Sequence, residues 1–254
     1  MHRILFYIGN LPVYSYGAMI ALAVLVAAIF MSLESTREGI DPDHVLEAII
    51  VAVIGGLLGA RILYVLLNWE QFRGRWQDIF FSRFAGLTFY GGLFGGILVV
   101  LLWCRWRKVN FFKLTDLAAP YLALGYAFGR IGCFLNGCCY GRVSTVPWAI
   151  AIPVVDNLPR HPVQLYAAGG AVIIFIILKL LQRYRPFAGF NLVALCALYG
   201  VLRFITEFFR EEVILSLGLT LAQLFSLGLT IVSLLIMLYL FSVAPRKSKK
   251  EALQ

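Results

Sequence analysis

Seven apolar runs, at about residues 14–33, 45–67, 87–104, 114–135, 163–181, 190–208 and 219–242, are each near or above the ~18 residues that a helix needs to cross a bilayer. A chain patterned this way has little choice of fold. The expectation is an all-α integral membrane protein of about seven transmembrane helices, forming one bundle over residues 1–243 and ending in a basic tail at 244–254. Composition agrees: 61% of residues are hydrophobic, 14% are charged and the mean hydropathy is +0.85, against roughly 45–50% apolar residues in a soluble domain. The length leaves no room for a second domain. No small-residue cleavage site follows the short apolar start, so the first span is expected to stay in the mature protein.

The formal charge of +9 does not point to nucleic acid, because the basic residues stand in short clusters between apolar runs, as membrane-flanking charge does. Assigning Lys and Arg to alternating sides gives twelve on one side: Arg37, Arg105, Arg107, Lys108, Lys113, Lys179, Arg183, Arg185, Arg246, Lys247, Lys249 and Lys250. The other side has seven: Arg3, Arg73, Arg75, Arg83, Arg142, Arg160 and Arg210. The positive excess marks the cytoplasmic face, so the N-terminus is expected outside and the C-terminus inside. Glycines in IGGLLGA (54–60) and YGGLFGGIL (90–98) read as sites of close helix approach. The connection at 136–162, with its prolines and alternating apolar residues, reads as a short extended segment at the outer surface.

Charges inside spans require explanation, since each costs roughly 2.5–3.5 kcal/mol on insertion scales. Arg130, in GYAFGRIGCFLNGCCYG, either snorkels to the outer interface or offers a fixed guanidinium to a phosphate, for which its fork geometry is suited. Arg203 has Tyr199 four residues before it and Glu207 four after it, on one helix face. An Arg203–Glu207 pair eases insertion and also orients the arginine. Arg61 reads as structural or interfacial. His161, with Gln164 and Tyr166, collects hydrogen-bonding groups at the start of the fifth span, whereas His2 and His44 stand alone. Asp41 and Asp43 read as helix-start chemistry.

Five cysteines include three in CFLNGCC: Cys133, Cys138 and Cys139. At the outer face a bridge from Cys133 to Cys138 or Cys139 can persist. A thiolate activated by neighbouring Arg130 is a second reading. No fourth ligand at familiar spacing completes a zinc site, so neither metal nor cofactor is expected. Cys104 and Cys196 read as apolar span residues.

These motifs together resemble the bacterial prolipoprotein diacylglyceryl transferases. The family's signature G-R-x-G-N-F-x-N-G-E, followed shortly by G-R, appears as Gly129 to Arg142, keeping Arg130, Asn136 and the glycines but with Cys133 and Cys138 at the usual Asn and Glu positions. Tyr16-Gly17, Gly91-Gly92, His161-Pro162-Val163-Gln164-Leu165-Tyr166, Tyr199-Gly200 through Arg203, Glu207 and Arg210, and LTLAQLFS at 219–226 follow in the family's order. Two further departures are Tyr90, where the family usually has His, and Ala167, where it usually has Glu.

The resemblance implies transfer of diacylglyceryl from phosphatidylglycerol to the lipobox cysteine thiol of prolipoprotein signal sequences at the inner membrane. A thioether forms and glycerol phosphate is released. It implies catalytic roles for Arg130, Arg203, Glu207 and Tyr90. Substrate contacts fall to Arg130, Tyr16, Gly91, Gly92, Asn136, Cys133, Cys138, His161, Gln164 and Tyr199. The arginines would offset charge on the leaving phosphate, and a base must take the thiol proton; Tyr90, Glu207 or a thiolate among Cys133 and Cys138 could serve. Two rivals are a paralogue with a different acceptor and a catalytically silent lipid- or partner-binding membrane protein.

Overall fold

The computed structural model describes residues 2–74, 77, 86–153, 155–211 and 218–243. Its long helices are α1 (Ser15–Ser35), α2 (Pro42–Leu67), α3 (Phe89–Arg107), α4 (Phe111–Asn136), α5 (Val163–Leu181), α6 (Phe190–Glu207) and α7 (Leu221–Val243). They coincide with the seven apolar runs. All but α4 are long and apolar enough to cross a membrane. The α4 helix has 26 residues but carries Lys113, Asp116 and Arg130. The chain is an all-α integral membrane protein, with large apolar side chains such as Leu67, Leu102, Phe225 and Leu238 exposed on its outer surface. The tail at 244–254, Arg75 and Arg83 lie outside the described residues.

By its contacts the chain divides into two units, residues 28–114 and residues 1–27 with 115–254. In the first unit α2 starts on Asp41, whose side chain accepts from the Asp43 amide at 2.9 Å, with Pro42 at the first helical position. The expected helix-start role is met. Helices α2 and α3 then meet along their glycines. A Cβ on Gly59 would strike the Gly91 carbonyl and lie 2.8 Å from Gly95 Cα, and one on Gly55 would lie 2.7 Å from Val99 Cβ. Such closeness lets backbones pack where no hydrophobic driving force acts between helices. Thr88 Oγ1 donates to Ala60 O at 3.1 Å, and Arg61 donates to Gly86 O at 3.3 Å while lying over the Phe72 ring at 5.4 Å. Arg61 is therefore structural. At the other end an Arg107–Glu47 ion pair joins the two helices.

The second unit opens with an antiparallel hairpin, β1 (Ile4–Ile8) and β2 (Leu11–Tyr14), turning at Gly9 with φ of 58°. A second hairpin, β3 (Ile150–Ile152) with β4 (Asp156–Arg160), forms the extended segment expected between the fourth and fifth helices. Arg160 anchors it. The guanidinium is 2.6 Å from Asp156 Oδ2, 3.2 Å from Glu211 Oε2 and 5.0 Å from the Tyr140 ring.

The bundle's register is set at Asp116, 2% exposed in α4. Pro120 has no N–H, so the Asp116 carbonyl four residues earlier loses its helical donor. Asn191 Nδ2, from α6, supplies a substitute at 3.3 Å. The Asp116 carboxylate meanwhile accepts from the amides of Gly189 at 2.7 Å, Asn191 at 2.8 Å and Leu192 at 3.3 Å, capping the start of α6. One helix thus caps another. Beyond this lock the interface uses small residues, Ala119, Ala123 and Ala194 packing with Ile174 and Leu178, and then Ala127 with Ala168 and Ala171. Gly200 of α6 meets Ser226 O of α7 at 2.8 Å from its ideal Cβ.

Gly59→Ala should lower the detergent melting temperature by the equivalent of about 1–3 kcal/mol of overpacking. Gly56→Ala, whose Cβ would meet Gly92 O at an ordinary 3.5 Å, should change it by less than about 0.5 kcal/mol. Equal effects would refute the glycine seam. Asn191→Ala should cost about 1–3 kcal/mol by orphaning the Asp116 carbonyl. In a Pro120→Ala background, which restores the missing donor, the loss should shrink, and an additive double-mutant cycle would disprove the substitution of donors.

Candidate functional site

Tyr126 and Arg130 on α4, and Tyr199 and Arg203 on α6, have the same four-residue spacing, which puts each tyrosine one turn before its arginine. The Asp116–Gly189 bond joins residues 73 apart. The same offset relates Tyr126 to Tyr199 and Arg130 to Arg203, as expected of two parallel helices with equal rise. The tyrosine rings meet edge to face, 5.3 Å between centroids at 89°. The Arg130 guanidinium lies over the Tyr126 ring at 4.8 Å, and both arginines act electrostatically on Tyr199. Fourteen residues separate the arginines from the lock, about 21 Å along the helices.

The two cations differ in their neighbours. Arg203 Nη2 is 2.9 Å from Glu207 Oε2, as the spacing implied, and Arg210 Nε is 4.0 Å from the same oxygen. Thr220 Oγ1 donates to the other carboxylate oxygen at 3.3 Å, and Gln223 braces Thr220 by accepting from its amide at 3.0 Å. Glu207 is almost fully buried, with its side chain 1% exposed. Arg130, by contrast, pairs with no carboxylate among the described residues. Tyr126's buried hydroxyl lies near both Arg130 and Tyr199.

A second group lies at the start of α5. His161 Nδ1 is 3.2 Å from the Tyr166 hydroxyl, which also accepts from Trp148 Nε1 at 2.6 Å, and Phe209 packs against both rings at 5.1 and 5.4 Å. Gln164 donates to Cys138 O at 2.7 Å. The polar cluster expected there is thus present. Burial, reinforced by Arg142, holds the His161 imidazole below its ordinary pKa and so favours the neutral ring. Asn136 ends α4 and accepts through its carbonyl from Arg3 Nε at 3.4 Å. Tyr16 stands within electrostatic reach of Arg130, Cys133, Cys138 and Cys139. All five cysteines carry free thiols, so the bridge considered above is not formed.

Of the residues singled out by sequence, Arg130, Arg203, Glu207, Tyr16, Asn136, Cys133, Cys138, His161, Gln164 and Tyr199 fall in one unit. Tyr90, Gly91 and Gly92 fall in the other, where Tyr90 is 63% exposed with its ring against Phe89 and Gly91 packs on Gly59. Asp116, Tyr126, Arg160 and Thr220 were not anticipated. The signal for Tyr126 was available, because its spacing to Arg130 repeats that of Tyr199 to Arg203. A groove of about 480 Å³ lined by Leu221, Phe225 and Val232 is apolar and lies on α7.

The family model for prolipoprotein diacylglyceryl transferase matches residues 3–239, which takes in both tyrosine–arginine pairs and the cysteine segment. The chain belongs to the prolipoprotein diacylglyceryl transferase family. Relatives named phosphatidylglycerol–prolipoprotein diacylglyceryl transferase agree. The protein of Geobacter sulfurreducens is 38% identical over 230 residues, 89% of this chain and 87% of the relative. That of Pasteurella multocida is 36% identical over 260 residues, 96% and 94%. That of Clostridium tetani is 34% identical over 216 residues, 84% and 86%. The family resemblance read from the sequence therefore holds across nearly the whole chain.

His161 contributes stability as a neutral group. That contribution is present above the ordinary histidine pKa of about 6.5 and is lost as pH falls through the lower folded value. The fall in melting temperature between about pH 7 and pH 5 should be smaller in His161→Gln than in the parent protein; an unchanged acid slope would show that His161 does not set it.

Proposed function

We propose that this chain transfers the diacylglyceryl group of phosphatidylglycerol to the lipobox cysteine thiol of prolipoprotein signal sequences, forming a thioether and releasing glycerol phosphate at the bacterial inner membrane. The observation that carries the reading is the pair of arginines at equivalent positions of α4 and α6, one of them with no carboxylate partner among the described residues. An uncompensated guanidinium in a membrane helix is costly, and an anionic lipid head is the partner the surrounding solvent supplies. The relatives' name pairs phosphatidylglycerol with prolipoprotein substrates.

In this mechanism Arg130 binds the phosphate through its two-pronged donor face. Arg203 stands beside it, oriented by Glu207, and the two cations offset the charge that grows on phosphate as the carbon–oxygen bond breaks. Glu207 is a positioning residue in this scheme: its oxygens are taken up by Arg203, Arg210 and Thr220. His161, Gln164 and Asn136 shape the outer end of the site, and Tyr16 and Tyr199 line it. We place α4 across the membrane with the other six helices, the N-terminus outside and the site toward the outer leaflet. For Tyr90, Gly91 and Gly92 of α3 we propose a role in substrate binding, and for Tyr90 also in catalysis.

Membranes containing the protein should transfer labelled diacylglyceryl from phosphatidylglycerol to a lipobox peptide. Arg130→Ala should lower the rate by 10²-fold or more, on the order of the loss when one charge-stabilising donor is removed, and Arg130→Lys should recover only part of it. Full activity in Arg130→Ala would overturn the phosphate role. Binding of phosphatidylglycerol with no transfer to any thiol would favour the silent lipid-binding reading instead.

A further inference from the structure

Beside Arg130 the structure gathers three thiols that the proposed mechanism leaves idle. Cys133 is on the last turn of α4, Cys138 and Cys139 lie just beyond it, and their sulfur atoms are all within 4.8 Å of one another. Backbone geometry makes them converge. After α4 ends at Asn136, Gly137 takes φ of 75° and Cys139, unusually for a side-chain-bearing residue, φ of 60°. These left-handed turns fold the chain back so that the Cys138 amide donates to Cys133 O at 3.1 Å.

The segment is also held from outside. Gln164 fixes the Cys138 carbonyl, the Gly141 amide donates to His161 O at 3.1 Å, and the Arg142 amide donates to Phe209 O at 2.9 Å. A Cβ on Gly141 would lie 2.6 Å from the Val163 side chain, so there is no slack. The thiols are thus presented by a braced loop.

We propose that Cys133, Cys138 and Cys139 form a three-thiolate site for a thiophilic divalent cation of the zinc class, whose fourth position takes the acceptor thiol. Zinc–sulfur bonds of about 2.3 Å set the sulfurs of a tetrahedral centre about 3.8 Å apart. The three sulfurs lie within 4.8 Å of one another, so small side-chain rotations reach that spacing. Soft sulfur ligands select such ions. Three protein ligands are the number in centres that keep one position for a reactant, and the exposed Cys139 marks the open side. A dication with three thiolates carries one net negative charge, and Arg130, within electrostatic reach of Cys133 and Cys139, offsets it.

The role of the fourth position rests on the proposed transfer. On binding the metal, the acceptor S–H releases its proton to solvent. The resulting thiolate sulfur forms the S–C bond to the glyceryl carbon while the C–O bond to phosphate breaks, and its electron pair leaves on the phosphate beside Arg130 and Arg203. No side-chain base is then required.

The test uses the full chain, reduced, in nanodiscs containing phosphatidylglycerol, with Co²⁺ as the probe. About one equivalent should bind with a thiolate-to-cobalt absorption band, and affinity should fall at least tenfold in Cys133→Ser, Cys138→Ser and Cys139→Ser. Cys104→Ser and Cys196→Ser should retain the band. Because Cys139 is exposed, its substitution leaves packing intact and is the decisive variant. Adding a lipobox peptide should strengthen the band, and its serine counterpart should not. Absence of the band with five titratable thiols, or a disulfide within the cluster of freshly isolated protein, overturns the metal site. A band that the peptide thiol leaves unchanged overturns the acceptor role. A band that responds to the peptide in a protein without transferase activity upholds the site while the transfer reading fails.

Discussion

A missing hydrogen in α4 sets how α4 and α6 are joined. Pro120 deprives the Asp116 carbonyl of its helical partner, and at a buried residue that carbonyl must find another donor or bear the full cost of desolvation. Asn191 supplies it at 3.3 Å, and the Asp116 carboxylate in return satisfies three amides at the start of α6. Both helices have an unmet need that only the other can fill. Since both then climb by the same rise per residue, the lock carries through to Tyr126 and Tyr199, whose rings meet edge to face, with Arg130 and Arg203 one turn further along their helices.

Holding that register over so long a distance requires helices that can approach closely. The interface between α4, α5 and α6 is largely alanine, and α6 meets α7 at Gly200. Larger side chains would push the axes apart. The same logic governs α2 and α3 in the other unit, where Gly55, Gly59, Gly91 and Gly95 leave room for no Cβ. Small residues here do not weaken the helices, because in lipid the backbone has no competing partner.

Much of this was legible in the sequence, and what was not has identifiable physical reasons. Helix positions followed directly from apolar length, and the run at 163–181 coincides with α5. The Arg203–Glu207 pair followed from helical spacing. The N-terminal hairpin was missed although two apolar stretches flank Gly9-Asn10, a sound turn signal, because the hydropathy of the adjoining span dominated that region. Asp116 carries no signal of its own in the sequence, because its role depends on Pro120 four residues on and on a helix 73 residues away. Arg160 counted only as outer-face charge, whereas it joins a hairpin to Glu211 and Tyr140. The cysteines illustrate the limit of spacing. Their pattern lacks a familiar ligand motif, and their convergence arises from two left-handed backbone angles that no spacing rule encodes.

The two arginines differ in how their charge is compensated, a difference that suits the roles proposed for them. Arg203 and Arg210 share Glu207, a carboxylate buried to 1% and further held by Thr220. A buried pair of this kind contributes little net stability, since desolvation offsets the attraction; its value lies in holding a cation in one orientation. Arg130 lies over the Tyr126 ring and pairs with no carboxylate among the described residues, and an aromatic face steadies a guanidinium without neutralising it. One cation is therefore positioned and the other is left with charge to spare. Under the proposed function a lipid phosphate gains the full attraction of Arg130, while Glu207 limits that of Arg203, which favours a lipid head held at α4, near the thiol-bearing loop at its end.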